Sequence, residues 1–516
     1  MKIRFLNIFF FPVFLFAQQK DTFNLHYAAF IKSETMSSYL HVLASDEYEG
    51  RETGKKGQKL AAEYISKEFK ESGIPPYKQD TYYQPFVIEE LRNTPIVSQI
   101  PEVISNCKTF SSEKDYYLLQ GRGQYQLNYS SFLFLGYGIE DKNYNDYDGL
   151  SVEQKMIMII EGEPVDKDSI SLITGTKTPS EWTTFYKKKI EKAYRKGATA
   201  LFIVSNSFGK DLETNKTKSP YIFTEKGKAE IPVFYISESM ANLLLKKTTI
   251  ENLKNNLTTS KKKYTKKIKT QLFISVKNVP EKLTSENVLG FIEGSDLKNE
   301  IVVISAHYDH LGKDGNMIYN GADDDGSGTS AILNLAKAFA IAKKEGHGPR
   351  RSLLFIAFSG EEKGLLGSEY YANHPEFPLK NTVCDLNIDM IGRIDEKHKG
   401  NPNYIYVIGS DKLSSELDQI NKEMNKKHCN LELDYAYNDE RDKNRYYYRS
   451  DHYNFAKNGI PVIFYFNGVH ADYHKETDEV EKIDFMKMEK ITRLVFYTAW
   501  EVANREKRIV IDSNKK

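Results

Sequence analysis

Two stretches bring together residues able to do chemistry: VVISAHYDHLG at 302–312 and NGADDDGSGTSAILNLA at 320–336. In the first, an apolar run ends in His307, Asp309 and His310; in the second, Asp323, Asp324 and Asp325 stand side by side ahead of a helical pattern. Carboxylates this close repel one another, and burying them is costly unless positive charge lies between them. Similar residues follow other apolar runs: Glu361 and Glu362 after SLLFIAFSG, Asp389 in VCDLNIDM, and His470, Tyr473 and His474 after PVIFYF. Taken singly, each cluster reads as helix capping. Five of them meeting at one sheet edge read as a metal centre, because mixed histidine and carboxylate ligands suit zinc. Two such ions about 3.5–4 Å apart need a bridging carboxylate.

The elements that must position these residues are legible from residue 270 onward. NVLGFIEG, IVVISAH, SLLFIAFSG, VCDLNIDM, YIYVIGS and PVIFYF are short apolar runs of the kind that form buried strands. Helical stretches lie between or after them at 328–343, 364–373, 412–426 and 485–504. Strand–helix alternation predicts an α/β fold, a mixed, mostly parallel sheet flanked by helices, with ligands outside the carboxyl ends of the strands. The loop carrying His470 and His474 contains Gly468 and shows no apolar helical stripe, so it is expected to be irregular. Upstream, residues 35–75 carry two helical patterns around a Gly-rich turn, the second stopping at Gly73 and the prolines. Residues 110–265 differ in character, with short strands, polar loops and a helix near FYKKKIEKAYRKG. The run KKKYTKK at 261–267 reads as a solvated connector.

The totals set outer bounds. The chain has 516 residues, with 72 Lys+Arg against 71 Asp+Glu, a balance that gives no sign of a nucleic-acid partner or an anionic membrane surface. Apolar residues make up 40%, enough to fill real cores. The opening MKIRFLNIFFFPVFLFAQQKD reads as a secretory leader over residues 1–17, with Lys2 and Arg4 ahead of an apolar stretch ending at Ala17. That stretch is shorter than the roughly 20 apolar residues of a transmembrane helix. The expectation is an exported protein, periplasmic or secreted, with no stable membrane insertion. Cys107, Cys384 and Cys429 are an odd number without close spacing, offering neither a disulfide framework nor a cysteine zinc site.

With these motifs in view, the chain resembles the M28 metallopeptidases, dizinc aminopeptidases related to glutamate carboxypeptidase and the transferrin receptor. The resemblance rests on LASDEYEGRETG, AHYDHLG, NGADDDGSG, FSGEEKGLLGS, NIDMIGR, RSDHYNFAKNGIPVIFYF and DYHKETDEVEKID, all in the family's order. FLGYGIEDKNYNDYDGL, with KGATALFIV later, resembles the smaller β-rich protease-associated domain often inserted in this family. The expected organisation is therefore a leader at 1–17, the first part of a peptidase domain at 18–110, the insert at 111–266 and the main catalytic domain at 267–516.

The resemblance implies two zinc ions and a role for each residue. His307 and Asp389 hold the first ion, Glu362 and His474 the second, and Asp323 bridges both, with a cis peptide to Asp324. Asp309 hydrogen-bonds behind His307 to fix its tautomer. Glu361 is the general base and Tyr473 a donor to the oxyanion. Asp451, His452 and His310 are given supporting duty. The implied activity is that of an aminopeptidase acting on peptides. Carboxypeptidases, dipeptidases, glutaminyl cyclases and receptor-like relatives without ligands share the fold; Arg445 and Arg449 keep a carboxypeptidase open, whereas the complete ligand set disfavours the last two.

Overall fold

The computed structural model describes residues 22–78, 80–90, 102–105, 108–120, 123–184, 186–210, 221–223, 231–260, 264–278 and 281–512. The leader-like residues 1–17 and Cys107 lie outside them. The chain divides into two compact units, Met1–Ile88 with Leu283–Lys516, and Glu89–Lys282.

In the first unit, helices α1 (Ser33–Leu43) and α2 (Lys56–Glu71) precede strand β1 (Tyr83–Glu90). After the second unit come β2 (Glu281–Ile292), β3 (Leu297–His307), α3 (Gly328–Lys344), β4 (Arg351–Phe358) and α4 (Leu366–Asn373). Then follow β5 (Thr382–Ile388), β6 (Tyr404–Ile408), α5 (Ser415–Met424), β7 (Glu432–Asp434), α6 (His452–Ala456), β8 (Val462–Phe466) and α7 (Phe485–Asn504). The strands of this unit lie in the order β7-β6-β8-β5-β3-β4-β2-β1. Strands β4, β3, β5 and β8 are mutually parallel, while β2 and β6 run antiparallel to their neighbours β4 and β8.

The parallel strands are apolar on both faces because helices cover both. Along β3, Val302, Ile304 and Ala306 point into a core shared with α1, α2, α3 and α7. Ile301 and Val303 point into the opposite core, which holds Tyr371 of α4 and Phe455 of α6. In β4 the same alternation sends Leu353, Phe355 and Ala357 one way and Leu354, Ile356 and Phe358 the other. Truncating such a side chain to alanine typically costs about 2–5 kcal/mol. The parallel register therefore holds four strand ends on one rim.

The second unit is built on an eight-stranded mixed sheet. Its parallel centre consists of Gly123–Leu135, Met156–Ile160, Ala200–Val204 and Val233–Ile236. It also carries the helices Tyr186–Arg195, Glu238–Leu245 and Ile250–Ser260, so it is a mixed α/β unit with two cores rather than only a β-rich one.

Both expected boundaries shift outward, from 111–266 to Glu89–Lys282. The KKKYTKK run is the cause at the far end. Thr265–Asn278 is a strand antiparallel to Gly123–Leu135, and it alternates outward lysines with buried Ile268, Thr270, Leu272 and Ile274. At the near end, Glu102–Ser105 pairs with that same strand. The consecutive charges at 261–267 had the look of a connector; the period of two in burial from Lys267 to Ile274 makes the segment a strand.

Candidate metal centre

Each of the four parallel strands delivers part of the site from the same rim. Strand β3 ends at His307, β4 leads into Glu361 and Glu362, β5 into Asp389, and β8 into the loop with His470, Tyr473 and His474. That loop is a series of turns without a helix, as its glycine and missing stripe imply.

Asp324 stands at the centre. Its Oδ1 lies 3.2 Å from His307 Nε2, and its Oδ2 lies 3.1 Å from His474 Nε2. On the first side His307 Nε2 is also 3.6 Å from Asp389 Oδ1. On the second, His474 Nε2 is 3.3 Å from Glu362 Oε2. Two ligand clusters thus share one carboxylate, each using a different oxygen. His310, fully buried, adds to the second cluster: its Nδ1 is 2.8 Å from Glu362 Oε1 and 4.0 Å from Asp324 Oδ2. His310, Asp324 and Glu362 direct ligand atoms to a common point, as do His307, Asp325 and Asp389.

The carboxylate lying between His307 and His474 is therefore that of Asp324, one residue after Asp323, where the bridge was expected. Asp323 is engaged elsewhere: Oδ1 accepts from Gly392 N–H at 2.6 Å, and Oδ2 accepts from Asn467 Nδ2 at 3.1 Å and lies 3.2 Å from His470 Nε2. The cis peptide is Asp324–Asp325, not Asp323–Asp324. Three identical side chains in a row conceal this register, which is set by what each can reach.

Asp309 also differs from expectation, its main chain rather than its carboxylate meeting His307. His307 Nδ1 is 3.1 Å from the Asp309 carbonyl oxygen, whereas the carboxylate is 3.8 Å away. The main chain thus fixes the tautomer that turns Nε2 toward the site. The Asp309 carboxylate instead accepts from Thr53 Oγ1 at 2.6 Å and from the Glu361 N–H at 3.2 Å, so it places the backbone of Glu361.

Asp325 lashes the rim together. It accepts from the backbone N–H groups of His307, Gly328 and Met390 at 3.1, 2.9 and 3.1 Å. A Cβ on Gly328 would lie 2.5 Å from both Asp325 carboxylate oxygens and from the Ile388 carbonyl, so only glycine permits this approach. Two further residues escaped sequence reasoning. Arg51, 1% exposed, donates to the carbonyls of Tyr308, Leu43, Asn320 and Gly321, holding both ends of the loop between the two motifs. Asp478 accepts from the N–H groups of Asp323 and Asp324 at 3.0 and 3.2 Å. The only sequence signal for either lies in the motifs GRETG and HKETDEV, where nothing separates them from ordinary surface charges.

The electrostatics separate the neighbouring glutamates. Burial, followed by the like charges of Glu362 and Asp389, raises the Glu361 carboxyl well above the usual range. Burial works in the same direction on Glu362, but His474 and His310 outweigh it and pull its pKa down to about 2. Neighbouring carboxyls driven apart in this way can take different proton-transfer roles. The histidines respond to the same field. Burial opposes charging His307, yet Asp389 and Glu361 hold it well above the usual imidazole value; for His474 the opposing burial is overcome by Glu362 and Asp324, which lift it to about 11. The site demands positive charge.

Tyr473 stacks on His474 with ring centres 3.8 Å apart, and its hydroxyl is 3.4 Å from Arg449 Nη2. Burial and the nearby Asp324 and Glu362 push its phenol pKa up, so it remains a proton donor. Asp451 and His452 are fully buried and belong to neither ligand cluster.

The residues fit divalent metal. Glu362 Oε1 and both His310 ring nitrogens are buried without a hydrogen-bond partner, although Glu362 Oε1 and His310 Nδ1 approach to 2.8 Å. Buried polar atoms left unpaired are rare and call for an explanation, and imidazole with carboxylate oxygen is zinc's donor set.

Comparison with known proteins agrees. Residues 287–499 match the model of peptidase family M28. Aminopeptidase YwaD of Bacillus subtilis is 29% identical over 233 residues, 44% of this chain and 46% of that protein. A probable leucine aminopeptidase of Trichophyton verrucosum is 30% identical over 212 residues, 40% of this chain and 54% of the relative. The chain spans about half the length of the curated relatives it matches. The solved structure of an aminopeptidase from Aneurinibacillus sp. strain AM-1 aligns over 95% of this chain and 98% of its own, at a TM-score of 0.58 and 19% identity, a likeness of fold. The segment that matches the family M28 model, 287–499, contains every member of both ligand clusters.

Proposed function

We propose that the protein is an exported zinc-dependent exopeptidase, an aminopeptidase that removes N-terminal residues from peptides, with two zinc ions per chain. One observation carries the reading: Asp324 presents separate oxygens to His307 and His474, with Asp389 and Glu362 completing the two sides. Zinc bound there would polarise the scissile carbonyl and lower the pKa of water. Glu361, whose Oε2 is 3.9 Å from His307 Nε2, is the base that takes the proton of the attacking water and returns it to the leaving amine. Asp309, through the Glu361 N–H, and Thr53 behind it hold that base in place. The Tyr473 hydroxyl donates to the oxygen that gains charge in the transition state. Export rests on the leader-like residues 1–17, and the second unit is read as the protease-associated insert on its FLGYGIEDKNYNDYDGL motif.

A carboxypeptidase is the second reading, favoured by Arg449 beside Tyr473, a cation where a terminal carboxylate could dock. A panel of aminoacyl-nitroanilides and amino-blocked peptides separates the two. Zinc-restorable hydrolysis of the nitroanilides supports the aminopeptidase, and release of free amino acids from blocked peptides alone supports the rival. Full turnover by protein verified as metal-free contradicts both.

A further inference from the structure

Behind Asp389 runs a chain of buried polar groups that the proposed reaction does not use. Ser305 Oγ lies 2.7 Å from Asp385 Oδ1 and 2.9 Å from Asn387 Oδ1. Asn387 Nδ2 is 2.9 Å from Ser450 Oγ, which in turn is 2.6 Å from Asp389 Oδ2. Ser305, Asp385, Asn387 and Ser450 are all fully buried, closed to bulk solvent.

The protons must therefore be counted. A serine hydroxyl has one proton to donate and an amide oxygen has none. Ser305 faces two acceptors and can satisfy only one. If it donates to Asn387, the Asn387 amide donates to Ser450 and Ser450 donates to Asp389; the remaining contact, Asp385 to Ser305, needs a proton on Asp385. If the amide is turned over, Ser305 donates to Asp385 and Ser450 to the amide oxygen. Ser450 then has nothing for Asp389, and the extra proton must sit there instead. The chain holds one proton, at one end or the other.

We infer that this proton resides on Asp385, which starts a one-way hydrogen-bond chain through Ser305, Asn387 and Ser450 that fixes the carboxylate of Asp389 as a metal ligand. Asp389 faces His307 and the region where positive charge is wanted, whereas the charged group acting on the Asp385 carboxyl is the anion Asp451, the cations Arg351 and Arg508 acting on the neighbouring Cys384. Asp385 Oδ2 has no hydrogen-bond partner, a far greater cost for an ionised carboxylate than for a neutral acid. Burial pushes the Asp385 carboxyl well above the usual range, with Ser305 opposing and Asp451 adding. Asp385 is thus a positioning residue, and the inference rests on Asp389 being a ligand as proposed above.

Two measurements on the full chain test it. Infrared spectroscopy of the wild type from about pH 6 to about pH 8, where a free aspartate is ionised, should show a protonated-carboxyl C=O stretch that shifts in deuterated water and is missing from Asp385→Asn. Absence of that band in the wild type overturns the protonated assignment, whatever the metal does. Zinc affinity is then measured by competition with a chelator. Ser305→Ala and Ser450→Ala should weaken one zinc by about 10–100-fold, as loss of a partner that orients a ligand commonly does. Asp385→Asn, whose amide can still donate to Ser305, should keep most of the affinity. Unchanged affinity in both alanine variants overturns the positioning role. A wild type that binds no zinc at all refutes the proposed function instead, and leaves the infrared result to decide the protonation of Asp385.

Discussion

Asp324 shares its carboxylate between His307 and His474, with one oxygen within 3.2 Å of each imidazole. No other carboxylate of the aspartate triplet does so, since Asp323 accepts from Gly392 and Asn467 and Asp325 from three backbone N–H groups. Asp324→Asn should consequently lose both metals or hold them far more weakly. Asp323→Asn should keep them, perturbing the loop around Asn467 instead. Metal analysis of the two purified variants decides it, and loss confined to Asp323→Asn would return the bridge to that residue.

The adjacent glutamates are predicted to fail in different ways. Glu361→Gln should retain metal and lower kcat by about 10²–10⁴-fold, the range for general acid–base catalysis. Glu362→Gln removes a ligand charge that His474 and His310 both stabilise, so metal content should fall with activity. Equal metal loss in both variants would mean that their roles are wrongly divided.

The two loop histidines divide similarly. His474 Nε2 reaches Asp324 and Glu362, whereas His470 Nε2 reaches only Asp323 among the carboxylates of the site. His474→Ala should lose about one zinc per chain and nearly all activity, by analogy with other ligand losses. His470→Ala should keep both ions and change substrate affinity at most. The opposite pattern in metal counts would move the ligand to His470.

Stability should rise with pH above neutrality. Burial lowers Lys189 in the second unit from 10.5 to about 7, against the raising influence of Asp146, and lowers Lys487 in the first unit from 10.5 to about 7, against Asp323. Between the folded and unfolded pKa values the unfolded chain binds more protons, so unfolding becomes harder as pH increases through that window. Each lysine contributes up to about 1.4 kcal/mol per pH unit there. Urea midpoints at about pH 7 and about pH 9 read the slope, and Lys189→Met should flatten it for the second unit. An unchanged slope in that variant would show that Lys189 stays charged when folded.

Much of this was legible in the sequence, and the reasons for what was not are physical. Strands buried on both faces announce themselves as apolar runs, and the residues that follow four of them converge because parallel strands end on one rim. That His307, Glu361, Glu362, Asp389 and the loop with His470 and His474 meet at one rim was legible for that reason, while the role of each came from the family resemblance. The register within Asp323–Asp325 could not, because it depends on which neighbours, Gly392, Asn467 or His307, each identical side chain meets. Asp309 misled in another way: its carbonyl rather than its side chain faces His307 Nδ1, a distinction no residue type encodes. Arg51 and Asp385 act on parts of the chain roughly 80 to 270 residues away, and such partners emerge only from the folded arrangement. The lysine-rich strand at 265–278 was hidden by charges on its outward face alone.

The proposed chemistry depends on two metals sharing Asp324. Anomalous diffraction at the zinc absorption edge, on crystals of zinc-loaded protein, tests it most directly. Two peaks are expected on either side of the Asp324 carboxylate, one beside His307 and Asp389 and the other beside Glu362 and His474. A single peak, or a pair centred on Asp323, would contradict it.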